Sequence, residues 1–178
     1  MSGYCHSAPG HPIHGPYHDS EYGFPVADDR VLFERLCLEI FQAGLSWLIV
    51  LKKRPALNAA FDGFDPARVA GYDDGDVARL LADASIIRNR RKIAATIENA
   101  KRFKVLQVDH GSFSHWLAAH HPRDKADWVK LFRQTFVFMG GEVVGEFLMS
   151  IGYMPGAHHP DCPVFAELTK IQPPWMKA

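Results

Sequence analysis

The chain has 178 residues, 47% apolar and 22% charged, which suits one globular domain with a sizeable core. Twenty Lys and Arg balance twenty Asp and Glu, so net charge gives no argument for a polyanionic partner. No apolar run reaches the roughly 20 residues of a bilayer-spanning helix, and no membrane partner is expected.

In chain order, the opening "MSGYCHSAPGHP" lacks the basic and apolar stretches of a secretory signal, so a cytoplasmic protein is expected. The first two dozen residues are rich in Gly, Pro and His and read as irregular. Asp28 and Asp29 can cap a helix through "RVLFERLCLEIFQAG", ended by Gly44. Ser46 can start a second, "WLIVLKKR", which Pro55 punctuates. Asp65 before Pro66 is a cap and first-turn pair. Helical periodicity returns in "DVARLLADA", "NRRKIAATIENAKRFKVL", "SFSHWLAAHH", "KADWVKLFRQ" and "EVVGEFLMSIGY". The best strand candidate is the short "TFVFM", Thr135 to Met139. With no internal repeat or linker, the expectation is a single all-α domain over residues 1–178. Irregular ends, 1–25 and 155–178, would pack on the helical core. Free ends of that kind fray unless something ties them down.

Three cysteines are too few for a disulfide scaffold. Cys37, in "ERLCLEIF", reads as a buried inert thiol. Cys5 and Cys162 each have histidines nearby, and in a reducing compartment that pattern suggests a metal. A structural zinc takes four Cys or His ligands in a closed tetrahedron. Cys5 and His18 from one end, with His158 and Cys162 from the other, supply such a set. His6, His11, His14 and His159 remain local alternatives. No carboxylate cluster accompanies these residues, which argues against a binuclear or catalytic centre.

Glu39 falls at the border of the apolar helical stripe, beside Arg35 and Gln42. It either reaches water or pairs with Arg35, or it faces a pocket where desolvation raises its pKa. "QAGLSW" would turn Trp47 back towards the same helix end, and Tyr17 and Tyr22 precede the helix. A carboxylate among aromatic faces suits a planar, electron-poor or cationic ring. The basic clusters Lys52–Arg54, Arg88–Lys92 and Lys101–Lys104 read, one at a time, as solvated helix faces.

"YHDSEYGFPVADDRVLFERLCLE", "QAGLSWLIVLKKR", "FDPARVA" and "IIRNRRKIAATIENA" closely resemble the DNA-3-methyladenine glycosylase I family. The similarity is dense over roughly the first hundred residues and resumes, more weakly, from about Asp127 to Cys162. The resemblance implies an all-helical fold of the helix-hairpin-helix glycosylase superfamily, with one structural zinc joining the termini through Cys5, His18, His158 and Cys162. It implies a monofunctional glycosylase, expected to be monomeric, that excises 3-methyladenine from damaged double-stranded DNA. Glu39 would be the catalytic pocket glutamate that reads the base, with Tyr17 and Trp47 sandwiching it. Gly140 and Gly141, at the hairpin turn in "FVFMGGEVVGEF", would offer backbone N–H groups to a phosphate. Leu45 would wedge into the gap left by the flipped nucleotide, and Lys52 and Lys53, with Arg54, would lie beside the duplex. Ser7, His14 and Tyr22 depart from the family pattern and imply a thinner aromatic lining and a roomier pocket. Those departures also motivate two alternatives: a non-catalytic zinc-stapled DNA-binding protein of the same fold, and a glycosylase preferring another adduct.

Overall fold

The caps legible in the sequence start their helices. Asp28 accepts the backbone N–H groups of Arg30 and Val31, Ser46 that of Ile49, and Asp65 that of Ala67. The computed structural model describes residues 3–177, and among them there are helices and turns but no strand. In order these are α1 (Gly3–Ser7), α2 (His14–Ser20), α3 (Asp29–Gln42), α4 (Trp47–Ala60), α5 (Pro66–Val69) and α6 (Asp74–Ala82). There follow α7 (Arg90–His110), α8 (Phe113–His120), α9 (Lys125–Thr135), α10 (Gly141–Ser150) and α11 (Pro163–Ile171). Single 3-10 turns lie at Asp62–Phe64 and Pro174–Met176.

Helix α3 is the axis of the molecule. It packs against α4, α7 and α10, and every residue from Leu32 to Phe41 is buried. The core around it is dominated by aromatic rings, among them Phe33, Phe41, Phe103, Phe113, Trp128 and Phe147. A helix buried on all sides contains any polar residue only where a partner or a cavity accommodates it. Glu34, Arg35 and Glu39 are those residues, and the N-terminal segment is what covers them. Glu21 accepts from Arg35 at 2.7 Å, and Arg54 bridges Glu21 and Glu34 at 2.9–3.0 Å. Arg35 therefore pairs with Glu21 rather than with Glu39.

Three local expectations are corrected. Helix α4 runs through Pro55, because Val50 before it and Leu57 and Ala60 after it are buried in one core. "TFVFM" is the turn between α9 and α10, pinned by Asn99: its Nδ2 donates to the Val137 carbonyl and its Oδ1 accepts the Val137 N–H. The terminal segments are not wholly irregular, since α1, α2 and α11 form within them.

Candidate functional site

The two ends of the chain meet. Cys5 comes from α1, His18 from α2, His158 from the loop after α10, and Cys162 from the N-cap of α11. All four are buried, and their ligand atoms lie within 4.8 Å of one another. His158 Nδ1 is 3.7 Å from Cys5 Sγ and 3.6 Å from Cys162 Sγ, and His18 Nε2 is 3.7 Å from Cys162 Sγ. A tetrahedral zinc with ordinary bond lengths separates S and N ligands by about 3.6 Å. The remaining ring nitrogens are engaged as metal-bound histidines require. His158 Nε2 donates to the Tyr22 carbonyl at 2.7 Å, and His18 Nδ1 to Asp19 Oδ1 at 2.7 Å. Both tautomers thus leave a lone pair facing the sulfurs. The donor set and its spacing fit a metal ion of zinc's size and softness.

Gly23 belongs to this centre. It has φ +86°, and a Cβ there would sit 2.9 Å from the Ala157 Cβ and 3.3 Å from His158 Cδ2. A side chain would therefore push the C-terminal ligand loop away.

Beside the metal centre lies a cavity of about 220 Å³ lined by Tyr4, Tyr17, Tyr22, Glu39, Gln42, Trp47 and Glu146. Tyr17 stacks on Tyr22 at 5.6 Å and meets Trp47 edge-on at 5.1 Å. The Arg35 guanidinium lies over the Tyr17 ring at 5.0 Å. Burial pushes the hydroxyls of Tyr4, Tyr17 and Tyr22 far up, so all three stay neutral hydrogen-bonding groups. Glu39, 5% exposed, is pushed up to about 8, first by burial and then by the neighbouring Glu146 carboxylate; Arg35 opposes the shift.

Ser7 and His14, two of the departures expected to thin the aromatic lining, do not themselves line the cavity. Ser7 is exposed and turns back to the Gly3 carbonyl, while His14 holds the Tyr4 hydroxyl at 3.3 Å. Tyr4 therefore joins Tyr17, Tyr22 and Trp47, and four rings line the cavity. Sequence reasoning missed Tyr4, although it adjoins Cys5 of the Cys/His cluster. It also missed Glu146, whose signal was a carboxylate inside the apolar "EVVGEFLMS".

The turn after α3 projects outward. Leu45 is 38% exposed and Ile49 is 42% exposed. The turn is braced from below by Lys92, whose Nζ donates to the carbonyls of Phe41 and Ala43 at 2.7 and 2.6 Å. This buried lysine caps the C-terminal end of α3, where the helix dipole favours a cation, so "RNRRK" is not simply a solvated face. A Cβ at Gly140 or Gly141, at the start of α10, would meet nothing within 4 Å, so the backbone there is open to an approaching group. Of the three basic residues on α4, Arg54 is committed to Glu21 and Glu34, and Lys53 donates to the Ala84 carbonyl. Lys52 alone of the three is exposed.

Residues 7–134 match the methyladenine glycosylase family. DNA-3-methyladenine glycosylase 1 of Escherichia coli K12 is 52% identical over 102 residues, which span 57% of this chain and about half, 54%, of that relative. DNA-3-methyladenine glycosylase of Haemophilus influenzae Rd is 34% identical over 170 residues, covering 85% of this chain and 91% of its own. A crystal structure of 3-methyladenine DNA glycosylase I superposes with TM-score 0.81 at 34% identity, over 89% of this chain and 97% of that one. A variant of 3-methyladenine DNA glycosylase I in complex with 3-methyladenine gives TM-score 0.81 at 32% identity, over 90% and 96%. With sequence and fold in agreement over most of its length, the chain belongs to the methyladenine glycosylase family.

Proposed function

We propose that this protein removes 3-methyladenine from duplex DNA by flipping the nucleotide out of the helix and hydrolysing its N-glycosidic bond. The observation that carries this reading is the cavity in which the buried carboxyl of Glu39 is ringed by Tyr4, Tyr17, Tyr22 and Trp47. Rings on several sides take a flat base without selecting strongly among bases, at on the order of 1–3 kcal/mol for each stacked base. The selection comes from the polar group at the edge.

Within this mechanism Glu39 is the catalytic pocket residue that reads the base. A base methylated at N3 carries a positive charge in DNA. Its arrival favours the ionised form of Glu39, which then accepts hydrogen bonds from the base edge; neutral adenine brings no charge to favour that form. Leu45 enters the gap left in the duplex, and unstacking costs least at a damaged base. The N–H groups at Gly140 and Gly141 hold a phosphate, and Lys52 makes a second backbone contact. A 3-methylated base is already a good leaving group, so no strong acid is required. Cys5, His18, His158 and Cys162 hold one zinc ion. That zinc contributes folding energy and, with four protein ligands, keeps no open position. Its ligands share a segment with Tyr4, Tyr17 and Tyr22, so the zinc also sets the pocket wall.

The test is base release from alkylated duplex DNA. Wild type is expected to liberate 3-methyladenine, and Glu39→Gln to lose at least about tenfold in rate while changing the ratio between accepted bases. Trp47→Ala is expected to weaken all accepted bases by similar factors. Binding of DNA with no base released would sink the proposal.

A further inference from the structure

The pocket holds a second carboxylate, and nothing in the reading above uses it. Glu146 comes from α10, opposite Glu39 on α3, and lines the same cavity. A second cavity of about 250 Å³ adjoins the first, lined by Glu39, Gln42, Ala43, Gly44, Leu45, Glu142, Val143 and Glu146. Glu39, Gln42 and Glu146 border both, so they form the partition between the inner pocket and the outer groove. The groove carries Leu45 on one side and the first turn of α10 on the other. It is where the sugar of a flipped nucleotide passes when its base is inside. Gly141 and Glu146 are five residues apart, or about 8 Å along the helix axis. Glu146 therefore lies about one and a half helical turns inside the start of α10, bordering the groove.

The two carboxyls are in different environments. Glu39 is almost wholly enclosed, while Glu146 is only partly buried and accepts a hydrogen bond from the Tyr22 hydroxyl at 3.1 Å. Two neighbouring carboxyls do not both ionise cheaply, so the pair keeps a proton on its more enclosed member. Burial and Glu142 raise Glu146, while the Tyr22 hydroxyl and Lys125 act to lower it. The Tyr17 hydroxyl, buried at the same cavity, has no hydrogen-bond partner among the described residues, as suits a site built to receive a polar ligand.

We propose that Glu146 is a second catalytic carboxylate, set at the sugar side of the pocket to take a proton from the attacking water. The proposal rests on the glycosylase reading. As the bond from C1′ to the base breaks, its electron pair goes to the base, which leaves neutral, and positive charge develops on the sugar. The carboxylate of Glu146 faces that charge. The water oxygen bonds to C1′, its proton passes to Glu146, and Glu146 returns it to solvent. Base reading and water activation thus fall to two residues on two helices.

The experiment is single-turnover release of 3-methyladenine from duplex DNA, paired with the affinity of each protein for free 3-methyladenine, followed by the quenching of tryptophan fluorescence, Trp47 being the tryptophan that lines the cavity. Glu146→Gln is expected to slow release about 100-fold, the lower end of what a positioned base contributes, with free-base affinity within about threefold of wild type. Glu146→Asp, which keeps the carboxylate, should retain at least about tenfold more of the rate than Glu146→Gln. A Glu146→Gln rate close to that of wild type overturns the proposal. So do equal losses in the Gln and Asp variants, or rate and affinity falling together as a structural role would give. Wild type releasing no base would instead overturn the glycosylase reading itself.

Discussion

Seven consecutive residues, Tyr17 to Gly23, serve the pocket and the metal centre together. Tyr17 and Tyr22 line the cavity, while His18 belongs to the Cys/His cluster and is held by Asp19. Glu21 neutralises Arg35 and Arg54, and Gly23 lets the C-terminal loop approach. At about 3.6 residues per turn, the adjacent Tyr17 and His18 of α2 point about 100° apart, which is how one short segment faces two sites. Glu39 carries the clearest residue-scale prediction. Its folded value of about 8 lies above its ordinary 4.5, mainly through burial. Its contribution to stability is therefore fully present below about pH 4.5 and is lost as pH rises towards about 8. Between pH 5 and pH 8 the loss is on the order of 3 kcal/mol, at about 1.4 kcal/mol per pH unit over most of that range. Glu39→Gln removes this dependence. Denaturant unfolding is expected to show the variant gaining on wild type steadily from pH 5 to pH 8. A gap between the two proteins that stays constant with pH would show that Glu39 titrates normally. The periodicity around Glu39 left it at a stripe border. Its burial depends on the N-terminal segment laid over α3, which no pattern within α3 contains.

At the scale of elements, caps were legible because they are local: Asp28, Ser46 and Asp65 bond to N–H groups two or three residues away. The turn "TFVFM" was not, because its conformation is set by the side chain of Asn99, 38 residues earlier in sequence. The basic stretch "LKKR" divides in the same way. Arg54 and Lys53 are drawn to Glu21, Glu34 and Ala84 by contacts far apart in sequence, which leaves Lys52 facing solvent near Leu45 and Ile49. If Lys52 contacts a phosphate, Lys52→Ala lowers the slope of log affinity against log salt by about 0.9. DNA-binding titrations between low and moderate salt measure this directly. An unchanged slope would make Lys52 an ordinary surface residue, and Arg54→Ala would lower stability instead, because it strands Glu34 in a mostly buried position.

For the whole molecule, the decisive feature is the closure of the two ends on one another. Cys5 and Cys162 are 157 positions apart, yet both border one apolar cluster with Val164 and Leu168, and α11 seals it. Cys162→Ser is expected to bind zinc more weakly and to lower the melting temperature by roughly 10 °C, the shift that about 3 kcal/mol produces in a domain of this size. Metal analysis and thermal unfolding of both proteins test it, and equal zinc content with equal melting temperatures would dismiss a structural metal. Base release by Cys162→Ser should fall too, since Tyr4, Tyr17 and Tyr22 lie within the tethered segment. By itself the sequence determined the helical class, most helix starts, the grouping of Cys5, His18, His158 and Cys162, and three residues of the cavity wall, Tyr17, Glu39 and Trp47, because these rest on local spacing or on recognisable motifs. Only the tertiary structure decided that Tyr4 completes the aromatic wall, that Glu146 faces Glu39, that Lys92 braces the Leu45 turn and that Arg54 is engaged by two glutamates. Each of these brings together residues distant in sequence, and such pairings exist only once the core around α3 has packed.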